Sequence, residues 1–141
     1  MQIEILYFLL NIFKKKPELN IMAAFIEKYP NSEYPIWHKV NDGSWQVSFN
    51  ENHHHAVASF TDDGNWLGSR IFTQFMLLPQ NIREAFESQF SKDLIMGVYT
   101  LKFKKASLYE FLVNENNKTK SLLFSTSGLL LNSSALKSYA L

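Results

Sequence analysis

Residues Trp45 to Gly68 lie over Tyr109 to Asn132 at a constant offset of 64 residues, without a gap. Six of the 24 positions are identical: Asn50 with Asn114, Glu51 with Glu115, Asn52 with Asn116, Phe60 with Phe124, Gly64 with Gly128 and Leu67 with Leu131. Others keep their character, as Trp45 with Tyr109 and Val47 with Phe111. With small gaps the match runs upstream through Trp37 and Tyr99, Tyr29 and Phe90, Phe25 and Phe86, and Pro17 and Pro79. A chain that repeats itself in this way reuses one supersecondary unit, and the fold must be built from two copies of it. The expected division is an N-terminal segment, 1–16, then one domain over 17–141 made of repeat one (17–77) and repeat two (78–141).

Each repeat opens with a proline followed by apolar residues at helical spacing, as proline favours the first turn. In the first copy these are Leu19, Met22, Phe25, Ile26 and Tyr29; in the second, Ile82, Ala85, Phe86 and Phe90. Pro30-Asn31-Ser32 ends the first helix, because proline cannot continue the hydrogen-bonding pattern. The period then shifts to 2, with Trp45, Val47 and Phe49 alternating with Gln46, Ser48 and Asn50, and Tyr109, Phe111 and Val113 with Glu110, Leu112 and Asn114. Turn residues at Asn41-Asp42-Gly43, Asn50-Glu51-Asn52, Asp62-Asp63-Gly64-Asn65 and Ser127-Gly128 make these strands hairpins. Strands are expected over 35–41, 44–50, 55–61, 65–75, 95–103, 107–114, 118–125 and 128–134. The fold class is α+β: a tandem duplication of a helix plus a four-stranded antiparallel unit, with both helices on one face of a continuous curved sheet.

Two helices cannot cover both faces of eight strands, so the second face is open to solvent or a partner. By alternation that face carries Gln46, Ser48, Val57, Ser59, Glu110, Leu112, Ser121 and Leu123.

Composition narrows the function. With 12 Phe, 6 Tyr and 3 Trp and 46% hydrophobic residues, the chain has ample material for a core. Fourteen basic against 13 acidic side chains leave no concentrated basic surface for nucleic acid. Without cysteine there is no disulfide, thiolate metal site or cysteine nucleophile. Ile3 to Phe13 is nearly continuous apolar sequence followed by Lys14-Lys15-Lys16, shorter than the roughly 20 residues a membrane span needs. A secretory leader puts its charge before the apolar run, whereas here the lysines follow it, so the segment reads as a docking element or a degraded leader.

His53-His54-His55 is the one run that resembles a metal ligand set, with His53 and His55 on one side of a strand and Glu51 as a third ligand. The aligned Asn117, Lys118 and Thr119 are ordinary polar residues, so a polar hairpin end is the simpler reading. Asp62 and Asp63 beside Gly64 fit a tight turn better than an acid and base pair. No Gly-x-Ser-x-Gly elbow, phosphate-binding glycine loop or His-Glu-x-x-His occurs. Trp45 belongs to the core side of its strand, and Trp66, next to a turn, is the tryptophan expected to be partly exposed.

The ordered series Trp37, Trp45-x-Val-x-Phe49, Ala58-x-Phe60, Asp63-Gly64-Asn65-Trp66 and Leu78-Pro79 resembles the PepSY-like family with a β-lactamase-inhibitor-like fold. Tyr99, Leu108-Tyr109-Glu110, Phe124 and Ser127-Gly128 follow in the same order. The resemblance implies two helix-plus-four-strand repeats in a curved sheet, in small exported bacterial proteins, some relatives of which bind and inhibit proteins through the open sheet face. It supplies no catalytic residue and no cofactor. The expectation is a non-enzymatic module in the periplasm or envelope that binds a protein or peptide through the open face. The alternatives are a small-ligand or metal-binding protein using the His53/His55 region, and a cytoplasmic location.

Overall fold

The computed structural model describes residues 16–131. The expectations for the N-terminal apolar segment and for residues beyond 131 lie outside the described residues.

Helix α1 (Leu19–Lys28) precedes β1 (Glu33–Lys39), β2 (Trp45–Glu51), β3 (His54–Phe60) and β4 (Trp66–Thr73). After a 3-10 turn at Phe75–Leu77 come α2 (Gln80–Glu87), a second 3-10 turn at Lys92–Leu94, β5 (Ile95–Lys102), β6 (Ser107–Glu115), β7 (Lys118–Ser125) and β8 (Leu130–Leu131). The eight strands form one curved antiparallel sheet in sequence order. Two of the hairpins follow directly from turn chemistry, since two-residue type I′ loops need positive φ at both central positions. Asn52 and His53 (φ 48° and 67°) supply it between β2 and β3, and Asn116 and Asn117 (54° and 62°) between β6 and β7. Glu51, expected in the turn, stays in β2, because the positive-φ pair falls one residue later.

The geometry of the two halves keeps the sequence offset. Trp45 pairs with Phe60 and Tyr109 with Phe124, while Phe49 pairs with Ala56 and Val113 with Lys120. Gly64 and Gly128 have φ of 87° and 88°, and each of their amides donates to a carbonyl three residues back, Thr61 and Ser125, at 3.0 Å. The helices dock on these turns through Asn20 Nδ2 to the Asp63 carbonyl at 3.5 Å and Asn81 Nδ2 to the Thr126 carbonyl at 3.0 Å.

Each helix closes its own core. Under α1, Ile21, Phe25 and Tyr29 pack on Trp45, Val47, Phe49, Ala56, Ala58 and Phe60. Phe25 meets Phe49 edge-on at 4.9 Å and Trp37 at 5.4 Å, an arrangement that suits the ring quadrupoles. Under α2, Ile82 and Phe86 pack on Val98, Phe111, Val113 and Phe124, with Phe86 stacked on Phe111 at 4.4 Å. Leu19 and Ile26, expected on the buried stripe of α1, are 81% and 58% exposed, and Ile21 is buried instead. The buried row is Ile21, Phe25 and Tyr29 at four-residue steps, and Leu19 and Ile26 fall on its far side.

A candidate recognition face on the sheet

Strand register places all eight expected open-face residues on the same side. Gln46 is opposite Ser59, Ser48 opposite Val57, Glu110 opposite Leu123 and Leu112 opposite Ser121. They are not equally open. Ser59 and Leu123 are 4% and 6% exposed, which corrects the reading of both as surface positions. Ser59 is a short side chain on an interior strand between Gln46 and Gly68, and Leu123 lies between Glu110 and Leu131. Both residues sit on interior strands, with a paired strand on either side.

The middle of the face is held by residues that the alternation argument missed. Arg70 on β4 donates through Nε to Glu110 Oε1 on β6 at 2.8 Å, reaching across β5. On the way its guanidinium carbon lies 3.5 Å from the centroid of the Tyr99 ring. Ser121 Oγ on β7 donates to the other oxygen of Glu110 at 2.7 Å. Phe72 is opposite Tyr99 in register and meets it edge-on at 5.8 Å. Gly97 makes room for the Tyr99 ring: a Cβ there would come within 3.1 Å of Cε2. One row of contacts thus crosses from β4 to β7, ordering a cation, an aromatic ring and a carboxylate. The Arg70 side chain is 38% exposed and that of Glu110 14%, so the cation faces solvent more than the anion does. Val57 and Leu112 are half-buried beside this row, and Phe72 is 36% exposed. Arg70 lies outside the gap-free part of the repeat, which aligns 45–68 with 109–132, so its place on the face was not legible from that match.

The histidine run lies at a polar hairpin end and does not form the alternative ligand set. His53 occupies the left-handed turn and leaves the strand alternation, His54 pairs with Glu51, and His55 pairs with Asn50. Among the described residues no group of three His, Cys, Asp or Glu side chains is placed to hold a metal ion. Glu51 has one buried oxygen without a hydrogen-bond partner among the described residues. Its counterpart Glu115 bonds Lys120 at 3.4 Å, and the residue equivalent to Lys120 is Ala56.

Asp62 and Asp63 serve the turn. Asp62 accepts from Trp45 Nε1 at 3.3 Å and lies 3.6 Å from the Lys39 ammonium, and the Asp63 carbonyl accepts from Asn20. In the neighbouring turn the Ser44 hydroxyl donates to Asp42 Oδ1 at 2.6 Å, and that bond, with the Ser44 amide, holds the Asp42 carboxyl below its ordinary pKa. Trp45 is buried and Trp66 is half-buried, with the Lys28 ammonium 3.5 Å above its ring. Trp66 Nε1 and the Tyr29 hydroxyl both donate to Ser69 Oγ, and burial raises the Tyr29 pKa. Shallow depressions adjoin these turns, one lined by Asp42, Ser44, Asp62 and Leu67, another by Ala24, Lys28 and Trp66. No helix among the described residues is long and apolar enough to cross a membrane.

No known family profile matches the chain, and no curated protein matches it. Solved structures do match. A DUF2874 family protein from Bacteroides ovatus superposes with a TM-score of 0.76 at 20% identity, over 84% of this chain and 87% of that one. A BLIP-like protein from Bacteroides fragilis gives 0.75 at 21% identity, over 86% and 87%. A protein provisionally described as periplasmic, from Bacteroides eggerthii, gives 0.76 at 19% identity, over 84% and 88%. The chain therefore has a BLIP-like fold, an α+β arrangement with a curved open antiparallel sheet.

Proposed function

We propose that this chain is a non-enzymatic module that binds a protein or peptide through the open sheet face, in an inhibitor-like manner. The observation that carries the reading is the ordered row Arg70, Tyr99, Glu110 and Ser121, flanked by the half-buried Val57 and Leu112 and by exposed Phe72. Ordered aromatic and arginine side chains beside apolar ones are what a recognition surface concentrates. The shared fold with a BLIP-like protein supports the reading by analogy. The offset of 64 residues, kept in register and turn geometry, supports a tandem duplication. A periplasmic or envelope location takes its support from the provisionally periplasmic neighbour, and a cytoplasmic one is the alternative.

The test compares wild type with a Phe72→Gln, Leu112→Gln double variant that retains its circular dichroism and unfolding midpoint. Both proteins are used as bait against native cell fractions, and each captured protein is then rebound in purified form. A purified partner that binds wild type and not the variant supports the reading. Partners that bind both equally place recognition elsewhere on the chain.

A further inference from the structure

We infer that Arg70 is the anchor of the open face and takes a carboxylate of the partner, an Asp or Glu side chain of an acidic peptide segment with an apolar residue beside it. The inference rests on the open-face reading above and gives that face a ligand chemistry.

The guanidinium carries five N–H donors, and only Nε is engaged, on Glu110 Oε1. The four N–H groups on Nη1 and Nη2 have no partner among the described residues. Their plane is already set, because the Nε bond fixes one edge and the Tyr99 ring supports one face. An arginine held in this way gives up little side-chain freedom on binding. Its outer edge presents parallel donors that match the two oxygens of a carboxylate.

Charge placement selects the sign and size of the ligand. Both oxygens of Glu110 are occupied, by Arg70 and Ser121, and the side chain is 14% exposed, so the network shows solvent its cationic edge. The retained Glu110 charge leaves the pair nearly neutral, which suits a monoanionic carboxylate rather than a phosphate dianion that needs several cations. Val57 and Leu101 lie on either side of Arg70 in register, and Phe72 is two residues along β4. An apolar side chain adjacent to the carboxylate would rest on these groups and strip water from the ion pair, which strengthens it.

The probe is a phage-displayed library of random dodecapeptides, selected on the full-length chain and rescreened on folded variants. The expected binders fail on Phe72→Gln, Leu112→Gln and carry an Asp or Glu at a fixed position. They weaken by about tenfold or more on Arg70→Gln, the loss expected for one charge-assisted contact. Changing that peptide acid to its amide gives the same loss on wild type and no further loss on Arg70→Gln. Lys120→Gln, which removes a sheet ion pair outside this row, retains binding, which separates recognition by Arg70 from mere support of the sheet. An Arg70→Gln, Glu110→Gln double variant repeats the measurement without stranding Glu110. Face-dependent binders with no required acid, or indifferent to Arg70→Gln, overturn this inference and leave the open-face reading standing. Binders indifferent to Phe72→Gln, Leu112→Gln overturn both, and a library that yields no binder overturns the inference.

Discussion

The hydroxyl of Tyr29 on α1 donates to Oγ of Ser69 on β4, a buried contact between residues 40 apart in sequence. Burial, the largest influence on this phenol, raises its pKa, and the Ser69 bond offsets part of that. On unfolding the tyrosine regains an ordinary pKa of about 10, so the unfolded chain releases the proton first as pH rises. The contribution of Tyr29 to stability is therefore constant below about pH 10 and shrinks above it. Urea unfolding of wild type and Tyr29→Phe should differ by about 1 kcal/mol at neutral pH, and the gap should close above pH 10. A gap that widens instead would contradict the assigned direction. Ser69→Ala strands two donors, Tyr29 and Trp66, at about 1–3 kcal/mol for the better buried one and less for Trp66.

Arg70 and Glu110 join β4 to β6 over the intervening strand, so their coupling should register in the stability of the sheet. A double-mutant cycle with Arg70→Gln and Glu110→Gln is expected to give a coupling of roughly 1 kcal/mol, less than a fully buried pair because Arg70 is 38% exposed. Raising the salt concentration should reduce it. A coupling of zero would mean that the bond seen between them adds nothing to folding.

Gly43 and Gly128 have nearly the same φ, 93° and 88°, in different surroundings. A Cβ on Gly43 meets nothing within 4 Å, whereas one on Gly128 comes to 3.2 Å from the Ala85 Cβ and 3.5 Å from the Asn81 carbonyl oxygen. Alanine at position 43 should cost about 1–2 kcal/mol for the left-handed backbone alone. At position 128 the cost should exceed that by roughly 1 kcal/mol or more, because α2 has to retreat from the turn. Equal losses in chemical denaturation would mean that the helix yields freely.

Phe25 and Phe86 occupy matching places in two separate cores. Phe25→Leu and Phe86→Leu should each destabilise by about 1–3 kcal/mol, as partial deletions of a fully buried ring. Sharing no partners, they should add to within about 0.5 kcal/mol in the double variant. A large departure from additivity, read from urea midpoints with unchanged slope, would show that the cores communicate through the sheet.

The parts of the fold legible in the sequence are those governed by local chemistry. Positive-φ residues at Asn52 and Asn116, glycines at 64 and 128, and the alternation around Trp45 and Tyr109 each specify a turn or a face without outside help. Leu19 and Ile26 were misread because on a short helix several apolar stripes compete, and only docking selects the row of Ile21, Phe25 and Tyr29. The histidine run lies at a polar hairpin end, as the aligned Asn117, Lys118 and Thr119 indicate, and only its minor metal-ligand alternative carried a strand alternation into a turn. The open face was half visible. Glu110, Leu112 and Ser121 follow from alternation, but Arg70 reaches Glu110 only because β4 pairs with β5, a contact made across the α2 connection and absent from any local pattern.

The sheet order, in which every strand pairs with its neighbour in sequence, has a consequence for how the chain reaches this state. Six of the seven pairings close short loops, and the seventh, between Thr73 and Ile95, spans only the α2 connection. Loop closure is therefore cheap at every step, and no strand waits for a distant end of the polypeptide to arrive. Assembly can begin at any hairpin and zip outward, so an eight-stranded sheet forms with the kinetic economy usual for folds dominated by local contacts. A chain emerging from the ribosome can complete β1 to β4 under α1 before β5 exists, leaving the Arg70 side chain to meet Tyr99 and Glu110 as β5 and β6 are laid down.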